Sequence, residues 1–178
     1  DVAWAALRSG LYLTPINWHL GPEETGYIVE DCGARALITS AAMSDVVGRL
    51  GPYSKQLEIR LSVGGGIAGY TDLDEVLEST PAGPRPAERE GMLMLYSSGT
   101  TGRPKGILPP LARSPFGTTR GGIAAIASQL YEVDDSSVYL SPAPLYHAAP
   151  LGWTLAGHRL GATVVVMDRF DPAGTLAA

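Results

Sequence analysis

Short runs of β-branched and leucine-rich residues alternate along this 178-residue chain with stretches of helical pattern, and no sequence repeat recurs. That alternation constrains the fold more than any single residue does. A helix between two strands carries the chain back to the end of the sheet where the first strand began, so consecutive strands run parallel. The expected class is therefore α/β, a mostly parallel sheet flanked by helices. Strands are predicted at residues 11–14, 36–39, 56–63, 92–96, 107–108, 138–140 and 163–167, the last of them buried. Helices are predicted at 22–32, 41–50, 71–78, 122–130 and 151–160. Pro22 suits a first turn, Glu23 and Glu24 suit its positive end, and Gly33 is a stop signal. Thr71 with Asp74 three residues on reads as a self-capping start, and Gly161 ends the helix at 151–160.

Hydrophobic residues make up 45% of the chain, enough for a buried core. The net charge of -5 is scattered, with no Lys or Arg run to hold a nucleic acid backbone or an anionic membrane surface, so nucleic acid is not an expected partner. The longest uncharged stretch, 136–158, contains Pro142, Pro144, Pro150, Ser141 and His147 and does not read as a membrane span. Cys32 is the single cysteine and cannot close an intrachain disulfide, which fits a reducing cytoplasm; its neighbours suggest a helix end. The chain opens at Asp1 without a methionine and stops after a turn signal at 170–172, so it reads as a fragment.

The residues that carry chemistry lie at 96–106, Tyr-Ser-Ser-Gly-Thr-Thr-Gly-Arg-Pro-Lys-Gly. Ser97, Ser98, Thr100 and Thr101 offer four hydroxyls around Gly99 and Gly102, whose backbone freedom lets successive N–H groups turn toward an anion. Lys105 adds a mobile full charge, and Pro104 stiffens the approach to it. Many donors and one cation suit a triphosphate whose charge moves during transfer. The spacing is not that of the common nucleotide-triphosphatase loop, because Pro104 stands five positions after Gly99 and Gly106 follows Lys105.

The string resembles the signature loop of the adenylate-forming superfamily, which includes acyl-CoA synthetases, luciferases and peptide-synthetase adenylation domains. Residues 10–40 resemble the region where fatty-acyl-CoA synthetases build their first sheet. Residues 144–150, Pro-Leu-Tyr-His-Ala-Ala-Pro, resemble the second signature, and Phe170-Asp171-Pro172 recurs at this place in acyl-activating relatives. The resemblance implies a phosphate-binding set of Ser97, Ser98, Gly99, Thr100, Thr101, Gly102 and Lys105. It also implies that Lys105 stabilises phosphate charge and that His147 contacts the acid and the adenylate. The implied reaction is ATP-dependent activation of a carboxylic, fatty, acid through an acyl-adenylate to its coenzyme A thioester, with Mg2+ arriving on ATP and no protein nucleophile. Adenine and ribose contacts, an acidic magnesium partner, a hinge and a catalytic lysine belong to segments that would follow Ala178. The expected organisation is thus a partial N-terminal domain over 1–178, inactive by itself and without its C-terminal domain. Two subregions, 1–80 and 91–178, would be joined by a proline-rich loop at 81–90.

Several readings stay open beside this one. After Gly106 many relatives continue to Thr-His-Arg, whereas here residues 107–113 are Ile-Leu-Pro-Pro-Leu-Ala-Arg, which separates the chain from any inference about acid length. The acceptor could be a carrier protein instead of coenzyme A, or the chain a non-catalytic nucleotide- or partner-binding module. His147 reads as a packed core histidine on its residues alone. Trp153, Leu155 and Leu160 read as core ahead of an acyl tunnel. Gly64, Gly66 and Gly69 match a dinucleotide spacing but more simply make a flexible turn. His19, His147 and His158 have no partners at metal-ligand spacing, so no protein metal site is expected.

Overall fold

The structure, a computed structural model, describes residues 1–83, 87–97, 103–118 and 122–177. In chain order its elements are α1 (Val2–Arg8), β1 (Tyr12–Leu13), α2 (Pro22–Asp31), β2 (Ala36–Ser40), α3 (Ser44–Val47), β3 (Ile59–Val63), β4 (Thr71–Asp72) and α4 (Leu73–Ser79). These are followed by β5 (Met92–Leu93), β6 (Leu95–Ser97), β7 (Lys105–Ile107), α5 (Ile123–Tyr131), β8 (Val138–Ser141), α6 (Ala148–Leu160), β9 (Thr163–Val166) and α7 (Pro172–Ala177). The chain divides into two compact units that interleave in sequence. One holds Tyr12–Glu88 and Met92–Pro110; the other holds Asp1–Leu11, Arg89–Gly91 and Leu111–Ala178.

In the first unit β2, β3 and β4 form a parallel sheet, with Ala36 opposite Ile59 and Leu61 opposite Thr71. β1 pairs with β5 in parallel, and β6 turns back on β7 in an antiparallel pair. Helix α2 starts at Pro22, which has no N–H to leave unsatisfied, while the Gly21 N–H donates to Glu24 Oε2 at 3.2 Å. It ends where Gly33 takes φ +64°, with Cys32 as its last capping residue. Its face toward the unit is Thr25, Gly26, Ile28 and Val29, all buried. Val47, Leu50 and Ile67 form a compact apolar cluster with Leu37, Met43 and Tyr70 packed around it.

In the second unit α6 packs against α5, and β8 and β9 pair in parallel. α6 buries Leu151, Gly152, Thr154, Leu155, Ala156 and Gly157, a face broad enough to serve both a helix and a sheet. The buried Thr154 hydroxyl donates to Ser141 Oγ on β8 at 3.1 Å, so the polar atoms on this face are paired. Gly161 ends α6 at φ +86°. Beside it Arg159 donates two parallel hydrogen bonds to the buried Glu90, at 2.9 and 2.7 Å, and lies over the Phe116 ring at 4.9 Å.

Several local expectations change. Thr71 does not cap α4: it belongs to β4, and Asp72 accepts from the Asp74 N–H at 2.9 Å, because a carboxylate one residue on reaches the same donors. The helix predicted over 41–50 is a 3-10 turn (Ala41–Met43) followed by the single turn α3, since the apolar cluster fixes Met43, Val47 and Leu50 without needing a regular helix. The strand predicted over 92–96 is two strands, β5 and β6, which pair in different sheets and meet at the buried Met94. The exit strand begins earlier, at Lys105, and β9 is largely exposed at Thr163, Val165 and Val166 instead of buried. Helices α1 and α7 were not anticipated. The glycine-rich turn leads into β4 and not into a helix, with positive φ at Gly64, Gly65 and Gly69; that context lacks the helix N-terminus a dinucleotide pyrophosphate needs.

Candidate active site

The segment singled out for phosphate binding is carried on the β6–β7 hairpin. Ser98, Gly99, Thr100, Thr101 and Gly102 lie outside the described residues, so the geometry on view is that of the two strands on either side. Ser97 stands directly opposite Lys105, Tyr96 opposite Gly106 and Leu95 opposite Ile107. Residues paired in this way project from the same face of a ribbon, so a hydroxyl and an ammonium emerge together at the loop end of the hairpin. Both are exposed. The Ser97 hydroxyl points toward the Lys105 carbonyl oxygen at 3.5 Å, the long limit of a hydrogen bond.

The hairpin is met by two residues of α2 that the motif does not contain, Asp31 and Tyr27. The Tyr96 phenol donates to Asp31 Oδ2 at 2.5 Å, and the Arg103 guanidinium lies over the Tyr27 ring at 5.0 Å. Burial raises the Tyr96 hydroxyl above its ordinary value, and its bond to the Asp31 carboxylate raises it further, so it remains a proton donor in the bond. Gly106 makes room for that phenol. A Cβ there would stand 2.9 Å from Tyr96 Cζ and from Met94 Cε, closer than side-chain atoms normally approach. The only sequence signal for this arrangement was an aromatic residue ending one strand with a glycine opening the next. Neither pointed to Asp31 or Tyr27 on α2.

His147 belongs to the other unit. It is the N-terminal capping residue of α6, with extended backbone at φ −87° and ψ 147°, and its imidazole is exposed beside the Tyr146 ring at 4.5 Å. The packed-core reading of this histidine is therefore not what the fold provides. Trp153, Leu155 and Leu160 part company: Leu155 is buried core, Leu160 is half-buried, and Trp153 lines a cavity of about 380 Å³ with Ala127, Tyr131, Val133, Tyr139 and Gly157. Burial pushes the Cys32 thiol up, away from the thiolate form. Among the described residues no group of three or more His, Cys, Asp or Glu side chains is gathered to hold a metal ion. No helix among them is long and apolar enough to cross a membrane.

The chain is α/β, and its Ser/Thr/Gly string lies in sequence between the two strands of a hairpin, with Lys105 opening the second strand. The chain belongs to the AMP-binding enzyme family, whose sequence profile matches residues 2–178. It is 28% identical to the fatty acid–[acyl-carrier-protein] ligase ScoC of Streptomyces coeruleorubidus over 176 residues, 96% of this chain and 32% of that protein. It is 30% identical to a feruloyl-CoA synthase of Amycolatopsis over 182 residues, covering 100% of this chain and 33% of the relative. The fold matches the crystal structure of the anthranilate CoA ligase AuaEII in complex with anthranoyl-AMP with a TM-score of 0.70 and 26% identity, over 91% of this chain and 32% of that one. The chain thus spans about a third of the length of the relatives it matches.

Proposed function

We propose that this chain is part of the N-terminal domain of an enzyme that activates a carboxylic acid, a fatty acid in the first instance, with ATP and passes the acyl group to coenzyme A. The observation that carries the reading is the opposition of Ser97 and Lys105 on the hairpin that brackets the Ser/Thr/Gly string. In the first step a carboxylate oxygen bonds to the α-phosphorus of ATP while the bond to pyrophosphate breaks. In the second the coenzyme A thiol bonds to the acyl carbon, AMP leaves, and the thiol proton passes to solvent. The first step asks the protein for alignment and charge neutralisation, which hydroxyls, backbone N–H groups and one lysine supply. His147 is assigned to contact with the acid; it need not act as a base, since the carboxylate is already ionised near neutral pH. Mg2+ would come bound to the triphosphate. By itself this span is read as inactive. A reducing cytoplasm suits the reading, since ATP and coenzyme A are abundant there.

A second acceptor is favoured by one observation: ScoC, among the similar proteins, is named as a ligase for an acyl carrier protein. The two are separated by offering the whole enzyme either coenzyme A or a carrier after adenylate formation.

The test is ATP–pyrophosphate exchange over acids of graded length. In the whole enzyme Lys105→Ala should lower exchange about a hundredfold, the size seen when one preorganised charge-stabilising group is lost, with the far-UV circular dichroism unchanged. Undiminished exchange in that variant would overturn the assignment of the loop.

A further inference from the structure

Helix α2 meets the phosphate hairpin at β6 and again just ahead of β7. Asp31 takes the hydrogen bond of Tyr96 on β6, and Tyr27 lies under Arg103 just ahead of β7. Residues 27 and 31 are four apart and therefore neighbours on one helical face. Among the described residues the hairpin they meet is a two-stranded sheet with three residue pairs. A ribbon of that size is marginal in water, so where it stands depends on what packs against it. Gly106 completes the arrangement, because a Cβ there would crowd the Tyr96 phenol on its path across the ribbon toward Asp31.

We propose that α2 is the positioning element of the phosphate hairpin, with Asp31 and Tyr27 as positioning residues that set where Ser97 and Lys105 stand. The proposal rests on the functional reading of the hairpin given above. Neither residue touches ATP in this account; each acts through a side chain of the hairpin. The arrangement has a distinct consequence for kinetics. Loosening the ribbon moves a hydroxyl and a cation away from phosphate while leaving the acid site, assigned to His147, as it was.

The experiment uses the whole enzyme in ATP–pyrophosphate exchange, with ATP and acid varied separately, on Tyr96→Phe, Asp31→Ala, Gly106→Ala, Tyr27→Leu and Tyr27→Phe. Tyr96→Phe, Asp31→Ala and Gly106→Ala should each raise the KM for ATP about fivefold, the effect of one lost hydrogen bond. The KM for acid should stay at its parent value, and the melting temperature should fall by no more than the few degrees that one lost hydrogen bond accounts for. The double variant Tyr96→Phe/Asp31→Ala should be no worse than either single change, because both remove the same bond. Tyr27→Leu should behave like them, whereas Tyr27→Phe, which keeps the ring face under Arg103, should restore the parent KM for ATP. An unchanged KM for ATP in Tyr96→Phe and Gly106→Ala overturns the proposal. So does a rise in both KM values together with a larger fall in melting temperature, which would mark plain structural support. If the parent enzyme shows exchange with no acid, the functional reading has failed, and the positioning role is then judged by inorganic pyrophosphate binding. Binding weaker in Tyr96→Phe than in the parent upholds it, and equal binding overturns it.

Discussion

Charged and hydroxyl side chains in this chain gain their roles from the partner each one meets. Glu90 is almost fully buried, and its carboxylate accepts from both nitrogens of the Arg159 fork and from the Gly117 N–H at 2.8 Å. Such a pair contributes modestly while intact but is costly to break, because one charge is left buried without its partner. Arg159→Leu should therefore destabilise the fold by about 3 kcal/mol, read from denaturant titration of the chain. Tyr96 makes a second case, with a pH signature. Its folded value lies above the ordinary value of 10.0, so the native state holds that proton more tightly than the unfolded one. The resulting stability is fully present below pH 10.0 and is lost as pH rises from there through the folded value. The denaturation midpoint should fall above that pH, and Tyr96→Phe, with no proton to lose, should show a shallower decline. Some slope should remain, since burial also raises Tyr70.

Helix α2 shows how packing overrules propensity at the level of an element. Gly26 sits in its middle, where glycine costs about 1 kcal/mol relative to alanine. Yet a Cβ at that position would stand 2.4 Å from Tyr53 Cδ2 and 3.0 Å from Tyr53 Cβ, so the ring lies directly on the helix backbone. Gly26→Ala should destabilise by about 1 to 2 kcal/mol despite its better propensity, because overpacking outweighs the helix gain; thermal unfolding of the two proteins decides it. The start and stop of α2 were legible in Pro22, Glu23, Glu24 and Gly33, since capping acts within a few residues. The split between β5 and β6 was not, because a continuous apolar run carries no mark of which neighbour each half will pair with. α1 was missed for a related reason. Seven residues form no stable helix alone, and this one is held by Trp4 against Phe116 and by the Gly91 N–H donating to Leu7 O at 2.7 Å.

At the scale of the whole molecule, Lys105 and His147 belong to different compact units. Their substitutions should therefore separate kinetically. His147→Ala should raise the KM for acid about tenfold, a loss on the scale of one well-placed polar contact, with the KM for ATP unchanged. Lys105→Ala should show the opposite preference, and exchange assays with each substrate varied in turn will read both. The α/β class and the Ser/Thr/Gly string were determined by the sequence alone, because periodicity, turn chemistry and a dense run of special residues are local properties that survive without a partner. The tertiary structure alone decided that Tyr96 reaches Asp31 across 65 residues and that Arg159 reaches Glu90 across 69. Those pairings are worth something only after loop closure has brought distant segments together, and no local pattern records which carboxylate will be waiting there.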